Sequence, residues 1–245
     1  MTPYYDVDGI TIYHGDCCEV FEEWAPYRRG AANFDLLLTD PPYGGVAKRI
    51  YGDGTTRTNT GLFAGQPRPV TRDYEIDPVW DCLQPGALAM ARALTKHQII
   101  FGGNYYDLPP ASCWLVWDKD NAGTDFADCE LAWTNLKKAV RKLTYRWNGM
   151  IQQPGRAKEV REHPTQKPEP VMVWALTHAP ADVRSVLDPF MGSGTTLVAA
   201  KRLGRRAVGI EREERYCDIA ATRLAQAALP LFTDETEPTP CKASY

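Results

Sequence analysis

Ser185-Val186-Leu187-Asp188-Pro189-Phe190-Met191-Gly192-Ser193-Gly194-Thr195 begins as an apolar strand, turns on two glycines and enters a helix. The strand is expected over Ser185 to Phe190, the helix over Thr195 to Leu203 with Gly204 closing it, and a second strand over Ala207 to Glu211. Strand, helix and strand make a β-α-β unit, whose strands lie parallel because the helix carries the chain back along one face of the sheet. Glycines at the turn let a ligand approach the backbone, and free N–H groups at the helix start can hold an anionic group. Glu211 ends the second strand about 20 residues on, where an acidic side chain can accept hydrogen bonds from both hydroxyls of a ribose. A Walker loop is excluded because no Gly-Lys-Ser/Thr follows the turn. Leu197 stands where a dinucleotide fingerprint would carry its third glycine. A smaller nucleoside ligand fits the pattern.

The alternation continues on either side. Residues 9 to 13 and the run Leu36-Leu37-Leu38-Thr39 within Asp35 to Asp40 read as strands, the latter apolar at successive positions as in a strand covered on both faces. Gln98 to Phe101 and residues 114 to 117 and 130 to 134 repeat the pattern. Helices are expected over Pro78 to Leu94, interrupted at Pro85-Gly86, over Pro168 to Ala179 with Val171, Trp174, Ala175 and Leu176 on the apolar side, and from about Glu213 to Leu229. The expected architecture is α/β, a mixed, mostly parallel sheet with helices on both faces, and in such sheets ligands sit beyond the carboxyl ends of the strands. One catalytic domain is expected over 1–229. Within it, 44–72, rich in Gly, Thr, Arg and Pro, reads as a long mobile loop, and beyond it 230–245 reads as a disordered acidic tail.

Composition narrows the class. With 245 residues, 44% hydrophobic and 24% charged, the chain can bury a substantial core. Its seven cysteines are odd in number and lack C-x-x-C spacing, which argues against a disulfide framework and a zinc ribbon. His14, Cys17 and Cys18 lack metal-ligand spacing, so the thiols read as reduced and no metal is expected. Met1 to Gly9 has no apolar h-region, and no apolar run reaches the roughly 20 residues that span a bilayer, so a soluble, intracellular protein without membrane partners is expected. At a net charge of -3, attraction to nucleic acid would need a local basic surface. One is expected at 137–161, where Lys137, Lys138, Arg141, Lys142, Arg146, Arg156, Lys158 and Arg161 stand with Tyr145 and Trp147. The loop 44–72 adds Lys48, Arg49, Arg57, Arg68 and Arg72.

Asp40-Pro41-Pro42-Tyr43 closes the apolar strand. Two consecutive prolines stiffen the backbone and remove two N–H donors, leaving carbonyl oxygens as the main-chain groups on offer. An exocyclic amino group of a flipped base has two protons to donate. Asp40 and the Pro41 carbonyl can accept them, and Tyr43 offers a face for stacking.

Together, Asp40 to Tyr43 and the set Phe190, Gly192 and Gly194 resemble the two signatures of the DNA amino-methyltransferases, Asp/Asn/Ser-Pro-Pro-Tyr/Phe/Trp and Phe-x-Gly-x-Gly. With the catalytic motif first and the cofactor motif last, the chain is similar to the circularly permuted β group from Gly15 to about Leu224. The resemblance implies a three-layer Rossmann-like fold, S-adenosylmethionine as cofactor without a metal, and methyl transfer to the exocyclic N6 of adenine in double-stranded DNA after base flipping. N4 of cytosine is the alternative, although aspartate at position 40 resembles the adenine enzymes and serine the cytosine ones. An RNA or protein amide methyltransferase, which would carry Asn-Pro-Pro-Tyr after the cofactor motif, and a catalytically idle DNA-binding protein are further alternatives. A bacterial or phage cytoplasmic protein, a homodimer and a part in restriction-modification all accord with the group. Residue by residue, it implies Asp40, Pro41, Pro42 and Tyr43 as catalytic, and Asp188, Phe190, Gly192, Ser193, Gly194, Thr195, Glu211 and Arg212 at the cofactor with Asp40 beside them. From His14-Gly15-Asp16-Cys17 it implies Asp16 on the cofactor's adenine with Cys17 near it. From His163-Pro164-Thr165-Gln166-Lys167-Pro168 it implies that Lys167 and Pro168 wall the methionine end. It sets the target-recognition region at 137–161, so that Lys137, Lys138, Arg141, Lys142, Arg146, Arg156 and Lys158 are candidate DNA contacts, joined by Lys48 and Arg49 of the loop 44–72, which is expected to close over the flipped base.

Overall fold

Leu36, Leu37 and Leu38 are all fully buried, and consecutive side chains of a strand point to opposite faces, so this run requires cover on both sides. Residues 1–24, 33–43, 86–121, 127–148, 151–152, 162–163 and 166–227 are described by the computed structural model, and they supply that cover. In chain order the elements are β1 (Tyr5–Val7), β2 (Ile10–His14), α1 (Cys17–Trp24), β3 (Phe34–Thr39), α2 (Ala87–Ala93), β4 (Thr95–Phe101), β5 (Trp114–Asp118), β6 (Cys129–Thr134), β7 (Arg141–Thr144), β8 (Trp147–Asn148), β9 (Ile151–Gln152), α3 (Glu169–Thr177), β10 (Ser185–Asp188), α4 (Thr195–Arg202), β11 (Arg206–Glu211) and α5 (Glu214–Gln226). Leu37 joins Cys17, Val20 and Phe21 of α1 and Ala87, Leu88 and Ala91 of α2 in one apolar cluster. Leu36 and Leu38 join residues of α3, α4 and α5 in the other. Each such leucine contributes roughly 1.5–3 kcal/mol by leaving water. Three layers result, with the sheet in the middle.

Nine strands form that sheet in the order β1-β2-β11-β10-β3-β4-β6-β5-β7, while β8 and β9 pair separately. Five neighbouring pairs are parallel, namely β2 with β11, β11 with β10, β10 with β3, β3 with β4, and β5 with β7. Antiparallel pairs join β1 to β2, β4 to β6 and β6 to β5. From β3 the chain proceeds outward to β4, and from β10 it proceeds the other way to β11. The adjacent pair β3 and β10, in register at Leu36 with Val186 and Leu37 with Leu187, is therefore the switch point of the sheet. A crevice opens at such a point because the two following connections leave in opposite directions.

The expected mixed, mostly parallel sheet with helices on both faces is thus the observed one. The helix expected over Pro78 to Leu94 is described as Ala87–Ala93, and 78–85 lie outside the described residues, as do the loop 44–72 and the tail 230–245. The basic segment differs from expectation. Arg141 to Thr144 form an edge strand with one neighbour and mostly exposed side chains, so no apolar period announces it. Tyr145 and Trp147, expected on a basic surface, are instead buried, and Tyr145 accepts the indole N–H of Trp117 through its carbonyl at 2.8 Å.

Gly209 lets the turn after β10 and the helix α4 lie close against β11. A Cβ there would sit 2.5 Å from Met191 Sδ and 2.9 Å from Leu197 Cδ1. Gly209→Ala is expected to cost about 1–3 kcal/mol by overpacking, read as a lower urea midpoint at unchanged slope. An unchanged midpoint would contradict this packing.

Candidate active site

Four parallel strands deliver their carboxyl ends side by side. Gly15 and Asp16 follow β2, Glu211 ends β11, Asp188 ends β10 and Asp40 follows β3. Hydrogen bonds stitch these ends together. Gly15 donates its N–H to the Glu211 carbonyl at 2.9 Å, and Thr39 Oγ1 donates to Asp188 Oδ1 at 2.7 Å. Glu211 accepts the Gly192 N–H on Oε2 at 3.0 Å and the Glu213 N–H on Oε1 at 2.8 Å. Its carboxylate is anchored by main chain on both oxygens and keeps lone pairs for further donors. Burial pushes Glu211 above its ordinary range against these N–H donors, and burial holds Asp188 at about 6 even though Thr196, Thr39 and the Phe190 N–H bond its charged form.

Around Asp40 the arrangement is ionic. Lys167 Nζ donates to Asp40 Oδ2, Tyr43 Oη donates to Asp40 Oδ1 at 2.5 Å, and Lys167 also meets Glu130 Oε2 at 3.0 Å. Lys119 pairs with the other oxygen of Glu130 at 2.5 Å. Burial pushes the Asp40 carboxyl upward against the pull of Lys167 and raises Tyr43 well above the ordinary phenol range. Burial would raise Glu130 too, but Lys167 and Lys119 hold it at about 2. The Tyr43 ring lies against Gly102, whose φ of +65° and closeness to that ring leave no room for a Cβ. Its other neighbour is Tyr105, at 4.8 Å between ring centroids. The Tyr106 hydroxyl stands 2.6 Å from the Pro42 carbonyl oxygen and 3.1 Å from that of Pro41, fixing the proline pair from below.

The glycine turn is braced from outside. Gly192 and Gly194 have φ of +51° and +77°, and a Cβ on Gly194 would come 2.7 Å from that of Ala220 in α5. Arg223 Nη1 donates to the Ser193 carbonyl at 2.6 Å and reaches Ser193 Oγ and Thr195 Oγ1, while Ser193 Oγ donates to Gln166 Oε1 at 3.1 Å. The hydroxyls of Ser193 and Thr195 are therefore engaged with the framework. Phe190 packs on the α1 side of the sheet, Pro168 precedes α3, and Arg212 donates its N–H to Glu211. Asp16 accepts the Cys18 N–H at 2.8 Å, which makes it the N-cap of α1, and Cys17 is buried with its thiol pushed up to about 12 by burial.

A family model described as DNA methylase, of the N6/N4 methyltransferase type, matches residues 72–222. A type II methyltransferase of Lactococcus lactis subsp. cremoris, M2.LlaDCHI, is 43% identical over an alignment of 267 residues that covers 92% of this chain and 93% of the relative. The chain belongs to the N6/N4 DNA methylase family. M2.DpnII of Streptococcus pneumoniae, also a type II methyltransferase, is 27% identical over 91% of this methylase and 92% of its own length. Among solved structures, the M1.HpyAVI complex with S-adenosylmethionine superposes with a TM-score of 0.50 at 24% identity, covering 87% of this chain and 98% of that one. PvuII DNA methyltransferase, cytosine-N4-specific, gives 0.55 at 14% identity, with 96% and 90% covered. These two likenesses establish the fold.

Of the expected DNA contacts, Lys137, Lys138 and Arg141 are exposed, Lys138 donating to the His178 carbonyl at 2.8 Å. Lys142 pairs with Asp118 at 2.9 Å and Arg146 with Asp120 at 2.5 Å. Because β5 and β7 run parallel to β3 and β4, Arg146, just beyond the end of β7, lies at the same edge of the sheet as Asp40, four strand spacings or roughly 19 Å away. Lys137, Lys138 and Arg141, between the end of β6 and the start of β7, lie at the opposite edge, so the expected basic surface is divided between the two edges. Lys48, Arg49, Arg57, Arg68, Arg72, Arg156, Lys158, Arg161, Pro164 and Thr165 lie outside the described residues. Sequence reasoning passed over Glu130, Tyr105 and Tyr106. A charged residue opening the apolar strand Glu130 to Thr134, and a Gly-Gly pair followed by two tyrosines, were the available signals.

A pH experiment on folding tests the buried state of Asp188. Its folded value of about 6 exceeds its ordinary 3.8, so its contribution is fully present below about pH 4 and is lost as pH rises through about 6, a change on the order of 3 kcal/mol. Relative to Asp188→Asn, the wild type is expected to lose stability over that window in urea unfolding. A pH-independent difference would contradict this.

Proposed function

We propose that this protein transfers a methyl group from S-adenosylmethionine to the exocyclic N6 of adenine in double-stranded DNA, after the base has turned out of the helix. The observation that carries the reading is the Thr39–Asp188 hydrogen bond, which sets Asp40-Pro41-Pro42-Tyr43 beside the glycine turn and Glu211. A methyl donor held at the turn and a base held by Asp40 would meet at the β3/β10 switch point.

The residues present suit the cofactor. Glu211, with both oxygens oriented by main-chain N–H groups, would take the ribose hydroxyls, and Gly192 and Gly194 allow the backbone to approach it. The relative M1.HpyAVI was solved as a complex with S-adenosylmethionine, which supports the same assignment here. When bound, the cofactor supplies an electrophilic methyl group on a sulfonium. The amino group would donate one hydrogen bond to Asp40 and one to the Pro41 carbonyl, leaving the nitrogen lone pair toward the methyl, while Tyr43 would support the base ring. An N–C bond would form as the S–C bond breaks, and the surplus amino proton would leave through Asp40 to solvent. No covalent enzyme intermediate is needed. Positioning of this kind can supply roughly 7–11 kcal/mol. Arg146, at the Asp40 edge, and Lys142 beside it on β7 would meet phosphates, fixing register without reading sequence. We take residues 1–229 as one catalytic domain, acting in a bacterial cytoplasm beside a restriction activity, as the type II names of its relatives suggest. No helix among the described residues is long and apolar enough to cross a membrane.

Incubation with labelled S-adenosylmethionine and unmodified plasmid DNA, followed by nucleoside analysis, is expected to give N6-methyladenine, with a loss of roughly 100-fold or more in Asp40→Ala. N4-methylcytosine would move the target to cytosine, and full activity in Asp40→Ala would overturn the role of Asp40. Duplex binding is expected to weaken steeply with salt, and replacing a phosphate-contacting cation such as Arg146 should reduce the log–log slope by about 1. A slope unaffected by any of these substitutions would remove the segment from the DNA interface.

A further inference from the structure

Lys167 was expected from the family resemblance to wall the methionine end of the cofactor, yet its side chain, 7% exposed, is committed to two carboxylates. We infer that Lys167, anchored by Glu130, is the positioning residue that aims Asp40 and keeps it charged for the incoming amino group. This deepens the methyltransferase reading above and rests on it.

The topology explains how the anchor arrives. β6 runs antiparallel to β4 and β5, so its first residues, Cys129 and Glu130, fall at the edge where β4 and β5 end. Glu130 is thereby set between Lys119, just beyond β5, and Lys167, just before α3. Two lysines and two carboxylates alternate in a line, Lys119, Glu130, Lys167, Asp40, with formal charge balanced along it. The Lys167 ammonium also lies 5.9 Å from the Tyr43 ring centroid and 5.6 Å from that of Phe101, so aromatic faces complete its surroundings.

For Asp40 the consequence is a carboxylate with no rotational freedom left. Tyr43 holds Oδ1 and Lys167 holds Oδ2, and the remaining lone pairs are those a base amino group would meet. Among the described residues, the charged or titratable groups facing Asp40 are Lys167 from the segment before α3, Glu130 from β6, Tyr43 from its own segment with Tyr106 behind it, and Asp188 from β10. Lys167 is the cation among them. Burial and the two neighbouring carboxylates favour a proton on Asp40, and Lys167 opposes this. A protonated Asp40 would present a donor where the base requires an acceptor. Loss of Lys167 would therefore shut the reaction down from the acid side first.

The test compares wild type, Lys167→Met and Lys167→Arg in the full chain, measuring methyl transfer to unmodified plasmid DNA across pH and the dissociation constant of S-adenosylmethionine by calorimetry. In Lys167→Met the acidic limb of the kcat profile is expected to move up by about one to three pH units, with kcat near neutrality down by roughly 100-fold and cofactor affinity within about threefold of wild type. Lys167→Arg is expected to keep the limb at its wild-type position even where its rate is lower. Should Lys167→Met not fold, Lys167→Met combined with Glu130→Gln removes both buried charges together and should show the same displaced limb. A folded variant whose limb stays in place overturns the inference. So does one that binds cofactor tenfold or more weakly with kcat intact, the behaviour of a residue on the cofactor. A wild type that transfers no methyl group to DNA overturns the functional reading instead.

Discussion

Parallel pairing of β3 with β10, closed at its carboxyl end by the Thr39–Asp188 hydrogen bond, is the constraint on which the rest of the molecule depends. Each strand alone would end in an ordinary proline turn, Asp40-Pro41 in one case and Asp188-Pro189 in the other. Side by side at the point where the connections diverge, they bring a hydrogen-bond-accepting turn and a glycine turn to one edge of the sheet. The fully buried triplet Leu36-Leu37-Leu38 makes this pairing obligatory, since a strand apolar on both faces can be satisfied only inside the sheet.

Around that junction the protein buries charge that a stable core would avoid. Asp40, Glu130, Lys167, Asp188 and Glu211 all lie at the carboxyl edge, each with its proton affinity displaced by burial and by specific neighbours. Buried ion pairs seldom improve on apolar packing, and displaced titration gathers where chemistry is done. The glycine turn shows the complementary tactic. Arg223 and Gln166 hold Ser193 and Thr195 through hydrogen bonds, so the turn is tied to the framework by its own side chains.

Much of the fold could be read from residues because its signals are local. Continuous apolar runs mark β3 and β10 to within one or two residues, β4 begins three residues earlier than its apolar run, and Gly194 and Gly204 mark both ends of α4. The site motifs were legible for the same reason, being contiguous. What escaped depends on contacts distant in the chain. β7 gives no sign because an edge strand with one neighbour needs no apolar period, and Tyr145 and Trp147 read as surface residues because charged residues surround them in the sequence, although both are buried. The partnership of Lys167 with Glu130 arises from the reversal of β6, which no run of residues records. Asp16 illustrates a third case, since the N-cap role that its position before α1 allows is the one its side chain fills.

A crystal structure of the protein soaked with S-adenosylmethionine tests most directly whether the two strand ends form one reaction centre. The account predicts the ribose hydroxyls on Glu211, the methionine end over Gly192, and the sulfonium methyl pointing toward Asp40. A cofactor bound elsewhere, or one whose methyl faces away from Asp40 with protein between them, would contradict it.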